Sequence, residues 1–248
     1  MALTELDIAP HEVMVSSGIG QAAKMPHYMN CHMFNGLHGR SLPVAQGMKM
    51  ANPEMTVICE SGDGCSYGEG GNHFMAAIRR NLDVTLLVHN NQIYGLTKGQ
   101  ASPTTAMGQV TKAQPDGASS EPFNPVAAAI AQKAGFVAQA FSGEPAHLVS
   151  TMKAAIEHKG FSLVDILQPC VSFNKVNTFA WYKERSYILE GHDTQDWCAA
   201  MERADEFPEK IPLGILYQNI KPQYKNSGQL ATLKYGKDDL KVILQTFA

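Results

Sequence analysis

Thr56-Val57-Ile58-Cys59-Glu60-Ser61-Gly62-Asp63-Gly64 and Val84-Thr85-Leu86-Leu87-Val88-His89-Asn90-Asn91 set the frame of this sequence. Each is a β-branched, apolar run that stops at turn residues. Runs that are nearly continuous in apolar residues suit parallel strands covered on both faces. Between them lies Gly71 to Arg80, a stretch of helix length. Strand, helix and strand in that order read as one unit of a parallel sheet with crossover helices.

The same alternation extends outward. Val13 to Ser17 reads as a strand ending at Gly18, and Phe136 to Phe141 and Phe161 to Leu167 as two more. Leu42 to Met50, Pro125 to Ala134 and Glu144 to His158 read as helices. In the last, Pro145 occupies the first turn and Gly160 follows the end, the usual punctuation of a helix. The expected fold class is α/β, a mostly parallel sheet flanked by helices. Two stretches break the pattern. Gly95 to Phe123 is rich in Gly, Ser, Thr, Pro and Gln, and an irregular loop of that length in a compact domain is usually functional or disordered. From Lys175 the chain is more polar and aromatic, with Trp181, Tyr182 and Tyr187 and one further strand-like run, Ile211 to Tyr217.

Composition narrows the classes. Lys and Arg number 20 and Asp and Glu 23, a net charge of −3 across 248 residues, without the basic excess of a nucleic-acid protein. With 44% hydrophobic and 17% charged residues, the chain can bury a core. No apolar run approaches the roughly 20 residues that span a bilayer. Met1 to Asp7 has neither the basic nor the apolar region of a signal peptide. The five cysteines, at 31, 59, 65, 170 and 198, contain no CxxC and do not read as a disulfide framework. Together these point to a cytoplasmic protein with neither nucleic-acid nor membrane partners.

In open α/β sheets, ligands sit at the carboxyl ends of the strands. Asp63 follows one strand and Asn91 the next, 91 − 63 = 28 residues on, about one helix plus one strand. Neighbouring parallel strands would bring the two ends side by side. A carboxylate, an amide oxygen and a main-chain carbonyl from the second turn form an all-oxygen set, which suits Mg²⁺ holding a diphosphate. Glycines in the turns would let main-chain N–H groups approach phosphate oxygens. GDG, a spacer and NN at two strand ends resembles the thiamine diphosphate motif, although either element alone is an ordinary turn.

The resemblance widens along the chain. Gly62-Asp63-Gly64, Gly70-Gly71-Asn72-His73, Arg79-Arg80-Asn81 and Asn90-Asn91-Gln92-Ile93-Tyr94-Gly95-Leu96-Thr97-Lys98-Gly99-Gln100 closely resemble the β subunit of 2-oxoacid:ferredoxin oxidoreductases. So do Ser17-Gly18-Ile19-Gly20, Pro26-His27-Tyr28, His38-Gly39-Arg40, Leu42-Pro43-Val44-Ala45 and Asp165-Ile166-Leu167-Gln168-Pro169-Cys170 with Phe173-Asn174. The likeness covers roughly residues 8 to 220. It implies a thiamine diphosphate-binding domain over 1–220 and a C-terminal extension, 221–248, of no assigned role.

The resemblance also implies a site. Mg²⁺ ligands fall on Asp63, Asn91 and the Ile93 carbonyl. Cofactor contacts fall on Gly62, Gly64, Cys65, Asn90, Gly95 and Leu96. Ile19, Gly20, Gln21 and Ala22 would lie against thiamine diphosphate, with His38 and Arg40 nearby. Lys24 and Lys98 would face the substrate. Family members with Tyr-Gly-Leu-Thr-Lys-Gly-Gln tend to act on 2-oxoglutarate-like acids, and an ammonium at Lys98 could pair with the distal carboxylate. The implied reaction is oxidative decarboxylation of a 2-oxoacid to acyl-CoA, with coenzyme A as acyl acceptor and ferredoxin as electron acceptor. The implied partner is the α subunit, which would supply the acidic group for the aminopyrimidine, so the β chain alone would be inactive.

One part of the family pattern is incomplete. A [4Fe–4S] cluster needs four ligands, almost always thiolates. Cys170 matches the last family ligand, the loop ligand is replaced by Gln21, and the N-terminal pair has no counterpart in the sequence. Cys31 is a candidate substitute ligand or a buried thiol. At most two ligands remain, so no stable cluster is expected in this chain. That leaves two alternatives to the redox subunit, a cluster-less scaffold subunit and a non-oxidative thiamine diphosphate decarboxylase. Gly18-Ile19-Gly20-Gln21-Ala22-Ala23 also fits a dinucleotide fingerprint, but Pro26 falls where its helix should run and no acidic residue follows at the required distance. Metal-protease histidine spacing and a Walker A motif are absent.

Overall fold

The computed structural model describes residues 1–224 and residue 245. Its strands are β1 (Val13–Ser17), β2 (His32–Asn35), β3 (Thr56–Gly62), β4 (Thr85–Asn90), β5 (Phe136–Phe141), β6 (Ser162–Leu167), β7 (Ser186–Ile188) and β8 (Ile211–Gln218). They form one eight-stranded sheet in the order β2-β1-β3-β4-β6-β5-β8-β7. The pairings from β2 through to β5 are parallel, β8 runs antiparallel to β5, and β7 is parallel to β8. The five central strands read from the sequence are all present, and Ile211 to Tyr217 forms β8.

Side-chain alternation sorts the strands' residues into two cores. On one face, Val57, Cys59, Leu86, Val88 and Leu163 pack with Phe74, Ala77 and Ile78 of α3 (Gly71–Arg80) and Leu42 and Ala45 of α2 (Ser41–Ala51). α4 (Pro125–Ala131) and α7 (Trp197–Ala204) complete that layer. On the other face, Val13, Val15, Ile58, Leu87 and Val164 pack under α1 (Ala2–Glu5) and α5 (Pro145–Glu157). α6 (Phe179–Arg185) closes one end of the sheet, its Tyr182 buried with Phe141, Leu167, Ile211 and Leu213.

Helix ends follow local chemistry. The Asn124 side chain accepts Ala127 N–H at 3.0 Å before Pro125 starts α4, and Asp196 accepts Cys198 and Ala199 N–H at the start of α7. Lys133, at φ +52°, lies two residues past the end of α4, so that helix stops short of the expected Ala134. Asn81 caps α3 at φ +54°, and its side chain accepts Phe161 N–H and donates to the Lys221 carbonyl. Lys221 Nζ then donates to Ile78 O, and Tyr224 N–H to Arg80 O. The first residues of the expected 221–248 extension are therefore docked on the end of α3. The rest lies outside the described residues, apart from residue 245.

The additional elements have plain reasons for being hard to read. All four residues of β2 are exposed, and it forms the sheet edge beyond β1, so it carries no apolar run. β7 has only three residues. After β1 the chain enters a 3-10 turn, Ala22–Tyr28, with Pro26 inside it. A dinucleotide fingerprint requires an α-helix there, so this turn removes that alternative. No described helix is long and apolar enough to cross a membrane.

Candidate cofactor site at the strand ends

Register puts the two diagnostic turns together. Gly62 of β3 pairs with His89 of the neighbouring β4, so the chain leaves the sheet at Asp63 on one strand and Asn90 on the next at the same level. Asp63 is buried, 2% exposed. Its Oδ2 accepts the Ser102 hydroxyl at 2.6 Å and the Thr104 hydroxyl at 2.8 Å. Burial pushes its carboxyl upward in pKa, against the pull of these two hydroxyls and of main-chain N–H groups. A buried carboxylate held by neutral donors alone is an acceptor for a cation.

Asn91 Oδ1 accepts Ile93 N–H at 3.1 Å, and the Asn91 carbonyl accepts the Asn174 side chain at 3.0 Å. The Ile93 carbonyl accepts no hydrogen bond among the described residues. An amide oxygen keeps a second lone pair after accepting one bond. Asp63, Asn91 and the Ile93 carbonyl thus offer hard oxygens from two adjacent strand ends, and these residues fit Mg²⁺.

The side chain of Asn90, a residue expected to contact cofactor, turns inward. The residue is buried, and its side chain is fully engaged. Oδ1 lies 2.9 Å from Thr104 Oγ1 and accepts Gln92 N–H at 3.3 Å, and Nδ2 donates to Asp165 Oδ2 at 3.1 Å. Asp165, on β6, also accepts the Tyr67 hydroxyl at 2.7 Å. Burial pushes the Asp165 carboxyl up to about 6, opposed by the Tyr67 and Asn90 bonds and aided by the charge of Asp63. Asn90 therefore joins the Asp63 and Asn91 turns to the core.

The glycines at these turns also permit close packing of the loops. An added Cβ on Gly64 would lie 2.1 Å from the Tyr94 ring, and one on Gly18 would lie 2.3 Å from Cys65 Sγ. Gly39 N–H donates to Cys65 Sγ at 3.1 Å, and its own Cβ would meet the Glu69 main chain at 2.7 Å. These glycines let three loops pack against one another. Gly20, at φ +111° with nothing within 4 Å, opens outward. Ile19 and Ala22 are half-buried and Gln21 is exposed.

A polar rim surrounds the turns. His38 Nδ1 lies 2.9 Å from Glu69 Oε2, which also accepts the Tyr94 hydroxyl at 3.0 Å. Arg40 donates to His73 Nε2 at 3.2 Å, and burial together with Arg40 and Arg80 lowers the pKa of His73. Leu96, Lys24 and Lys98 are exposed, and neither lysine forms an ion pair among the described residues. Lys98 sits at φ +76° in a hairpin-like turn closed by the Tyr94–Gln100 bridge. Cys170 Sγ would lie 3.4 Å from a Cβ on Gly95, beside the second turn.

Cys31 is far from it. His32 pairs with Met14, so Cys31 lies at the start of β1, while Cys170 follows the end of β6. The two thiols sit at opposite ends of a parallel sheet and cannot share a cluster. Cys31 packs against the α1–α5 core, whose burial raises its pKa. Among the described residues, no three His, Cys, Asp or Glu side chains converge on a metal position. These residues do not fit a four-thiolate cluster.

Ser102, Thr104, Thr105 and Tyr67 carry the site's internal bonds and were not singled out by sequence. The signal for three of them was present in Ser102-Pro103-Thr104-Thr105, inside the long loop.

Comparison with known proteins places the fold and the family. Residues 7–166 match the thiamine pyrophosphate enzyme C-terminal TPP binding domain, the class that the parallel sheet and its oxygen-lined strand ends define. Residues 170–232 match the C-terminal region of the pyruvate ferredoxin oxidoreductase beta subunit. The chain is 44% identical over 237 residues to 2-oxoacid:ferredoxin oxidoreductase 1, subunit beta, of Aeropyrum pernix, covering 90% of this chain and 74% of that one. It is 40% identical over 234 residues to the corresponding subunit of Saccharolobus solfataricus, covering 88% and 76%. The solved 2-oxoglutarate:ferredoxin oxidoreductase from Magnetococcus marinus, with 2-oxoglutarate, coenzyme A and succinyl-CoA bound, superposes with a TM-score of 0.90 at 35% identity, over 98% of this chain and 86% of that one. This chain belongs to the 2-oxoacid:ferredoxin oxidoreductase β subunits.

Proposed function

We propose that this chain holds Mg–thiamine diphosphate in a hetero-oligomeric oxidoreductase that decarboxylates a 2-oxoacid oxidatively, 2-oxoglutarate in preference to pyruvate. The product is acyl-CoA, and electrons go to ferredoxin. The observation that carries the reading is the buried Asp63 carboxylate beside Asn91 on adjacent strand ends, an all-oxygen set. Thiamine diphosphate supplies the carbanion chemistry that releases CO₂ from a 2-oxoacid.

The chain's own residues bind and orient. Asp63, Asn91 and the Ile93 carbonyl hold the metal. Main-chain groups of Gly62, Gly64, Cys65, Gly95 and Leu96 meet the diphosphate. Ile19, Gly20, Gln21 and Ala22 line the open turn after β1, and His38 and Arg40 supply the polar rim. Lys24 and Lys98 stand exposed as cations for a dicarboxylic substrate, which agrees with the 2-oxoglutarate bound in the Magnetococcus enzyme. An α subunit completes the site with an acidic group for the aminopyrimidine. No electron path is assigned to a cluster held by Cys31 and Cys170. All five cysteines are free thiols, which supports a reducing, cytoplasmic setting.

The test is calorimetry of the α/β complex with Mg²⁺ and thiamine diphosphate, followed by ferredoxin reduction with 2-oxoglutarate or pyruvate. Binding, with faster reduction by 2-oxoglutarate and loss of both in Asp63→Ala, is expected. No binding by the complex would overturn the reading, and aldehyde release without ferredoxin reduction would replace it with a non-oxidative decarboxylase.

A further inference from the structure

We infer that Ser102 and Thr104 are positioning residues for the Asp63 carboxylate, and that the irregular segment 95–123 folds back in order to deliver them. The inference rests on the assignment of Asp63 to Mg²⁺.

An ionised carboxylate is acceptor-only and must find donors when buried. Both hydroxyls that reach Asp63 come from this one segment, and both bind the same oxygen, Oδ2, at 2.6 and 2.8 Å. Two donors on one oxygen fix the plane of the carboxylate and leave Oδ1 with no side-chain donor. The donors are neutral. A lysine or arginine in their place would cancel the charge that attracts a cation, whereas hydroxyls orient it and leave it intact.

Thr104 does a second thing. Its oxygen lies 2.8 Å from Asp63 Oδ2 and 2.9 Å from Asn90 Oδ1, so its single proton is offered to the ends of β3 and β4 alike. That contact sets the spacing between the two turns that carry the proposed metal ligands. The brace is itself fastened. Thr105 Oγ1 accepts Ser102 N–H at 2.7 Å and donates to the Gln92 carbonyl at 2.6 Å, between Asn91 and Ile93. Phe123 N–H donates to the Pro103 carbonyl at 2.8 Å, tying the segment's far end to its start. Ser102, Thr104 and Thr105 are all buried, although their surroundings in sequence are polar.

The experiment titrates Mg²⁺ into the metal-free α/β complex at saturating thiamine diphosphate, with Mn²⁺ electron paramagnetic resonance as a second, activity-independent readout. Thr104→Val keeps the shape and removes the hydroxyl, and Thr104→Ser keeps the hydroxyl. Removing a hydrogen bond to a charged group should weaken metal affinity on the order of tenfold or more in Thr104→Val. Thr104→Ser should restore it to within roughly threefold of wild type, because the hydroxyl donor returns. Ser102→Ala, which disturbs packing less, should also weaken the metal and broaden the Mn²⁺ signal. Wild-type affinity in both Thr104→Val and Ser102→Ala would overturn the inference, as would equal loss in Thr104→Val and Thr104→Ser, which is a packing effect. Failure of the wild-type complex to bind metal would instead overturn the assignment of Asp63, and the brace with it.

Discussion

The turns Gly18-Ile19-Gly20 and Gly62-Asp63-Gly64 close neighbouring strands with the same spacing of glycines, and they are built in opposite ways. At the second, Asp63 is 2% exposed, its carboxylate is hydrogen-bonded, and the Tyr94 ring occupies the space a Gly64 side chain would need. At the first, only the root is closed, by Cys65 against Gly18, and Gly20 has nothing within 4 Å. At Gly64 the missing side chain makes room for the Tyr94 ring, whereas the space around Gly20 is open. A shared motif at a strand end thus divides into a closed, hydrogen-bonded half and an open half.

The division is broken most directly at Gly64. A Cβ 2.1 Å from Tyr94 Cε1 forces the ring or the turn to move. The Tyr94 hydroxyl is tied to Glu69, and its main chain is bridged to Gln100, so the ring cannot swing freely. Gly64→Ala should cost about 1–3 kcal/mol, the usual range for overpacking a tight contact. Denaturant unfolding followed by tryptophan fluorescence measures it. Adding Tyr94→Ala should recover much of the loss. Destabilisation unchanged in the double variant would mean that the turn's own conformation, not the ring, demands glycine.

Much of this was legible in sequence, for physical reasons. The strands that became β1, β3, β4, β5 and β6 are buried on both faces, so burial wrote itself into their composition as apolar runs. β2 buries neither face and left no such record. α7 did leave one, with Asp196 as cap and Ala200 and Ala204 on its buried side, in a region whose aromatic and polar content masked the periodicity. The positions of Asp63 and Asn91 followed from one spacing, because parallel register converts spacing into adjacency. The role of Asn90 did not follow. Whether an asparagine at a strand end faces a ligand or the core depends on Asp165 and Thr104, 75 and 14 residues away. Cys31 and Cys170 show the converse. The match of Cys170 to a ligand position, and the candidacy of Cys31 as a substitute, said nothing about which end of the sheet each occupies.

The open turn should respond more weakly. Gly20 has space, so an added methyl meets no atom, but its φ of +111° disfavours any L side chain. Gly20→Ala should therefore cost about 1 kcal/mol from backbone strain alone. Combining it with Tyr94→Ala should give no recovery, since the ring is not the cause. Recovery in that pair would show that the two turns are mechanically coupled and would erase the contrast between them.

The smallest expected effect is a pH signature that belongs to the closed turn. Asp165 is fully buried behind Asn90, with its carboxyl raised from 3.8 to about 6, chiefly by burial. The native state therefore holds this proton more tightly than the unfolded chain does. By linkage, the group's contribution favours the native state below about 4, declines as pH rises through about 6, and is flat above that. Asp165→Asn removes the titration while leaving the histidines' contribution common to both proteins. The stability of wild type relative to Asp165→Asn should be greater at pH 5 than at pH 7 by roughly 1 kcal/mol. Unfolding free energies at the two pH values test the sign as well as the size. A difference of opposite sign would mean that the Tyr67 and Asn90 bonds outweigh burial and hold Asp165 ionised. The closed turn would then rest on a charged support, with two carboxylates, Asp63 and Asp165, both asking for the cation.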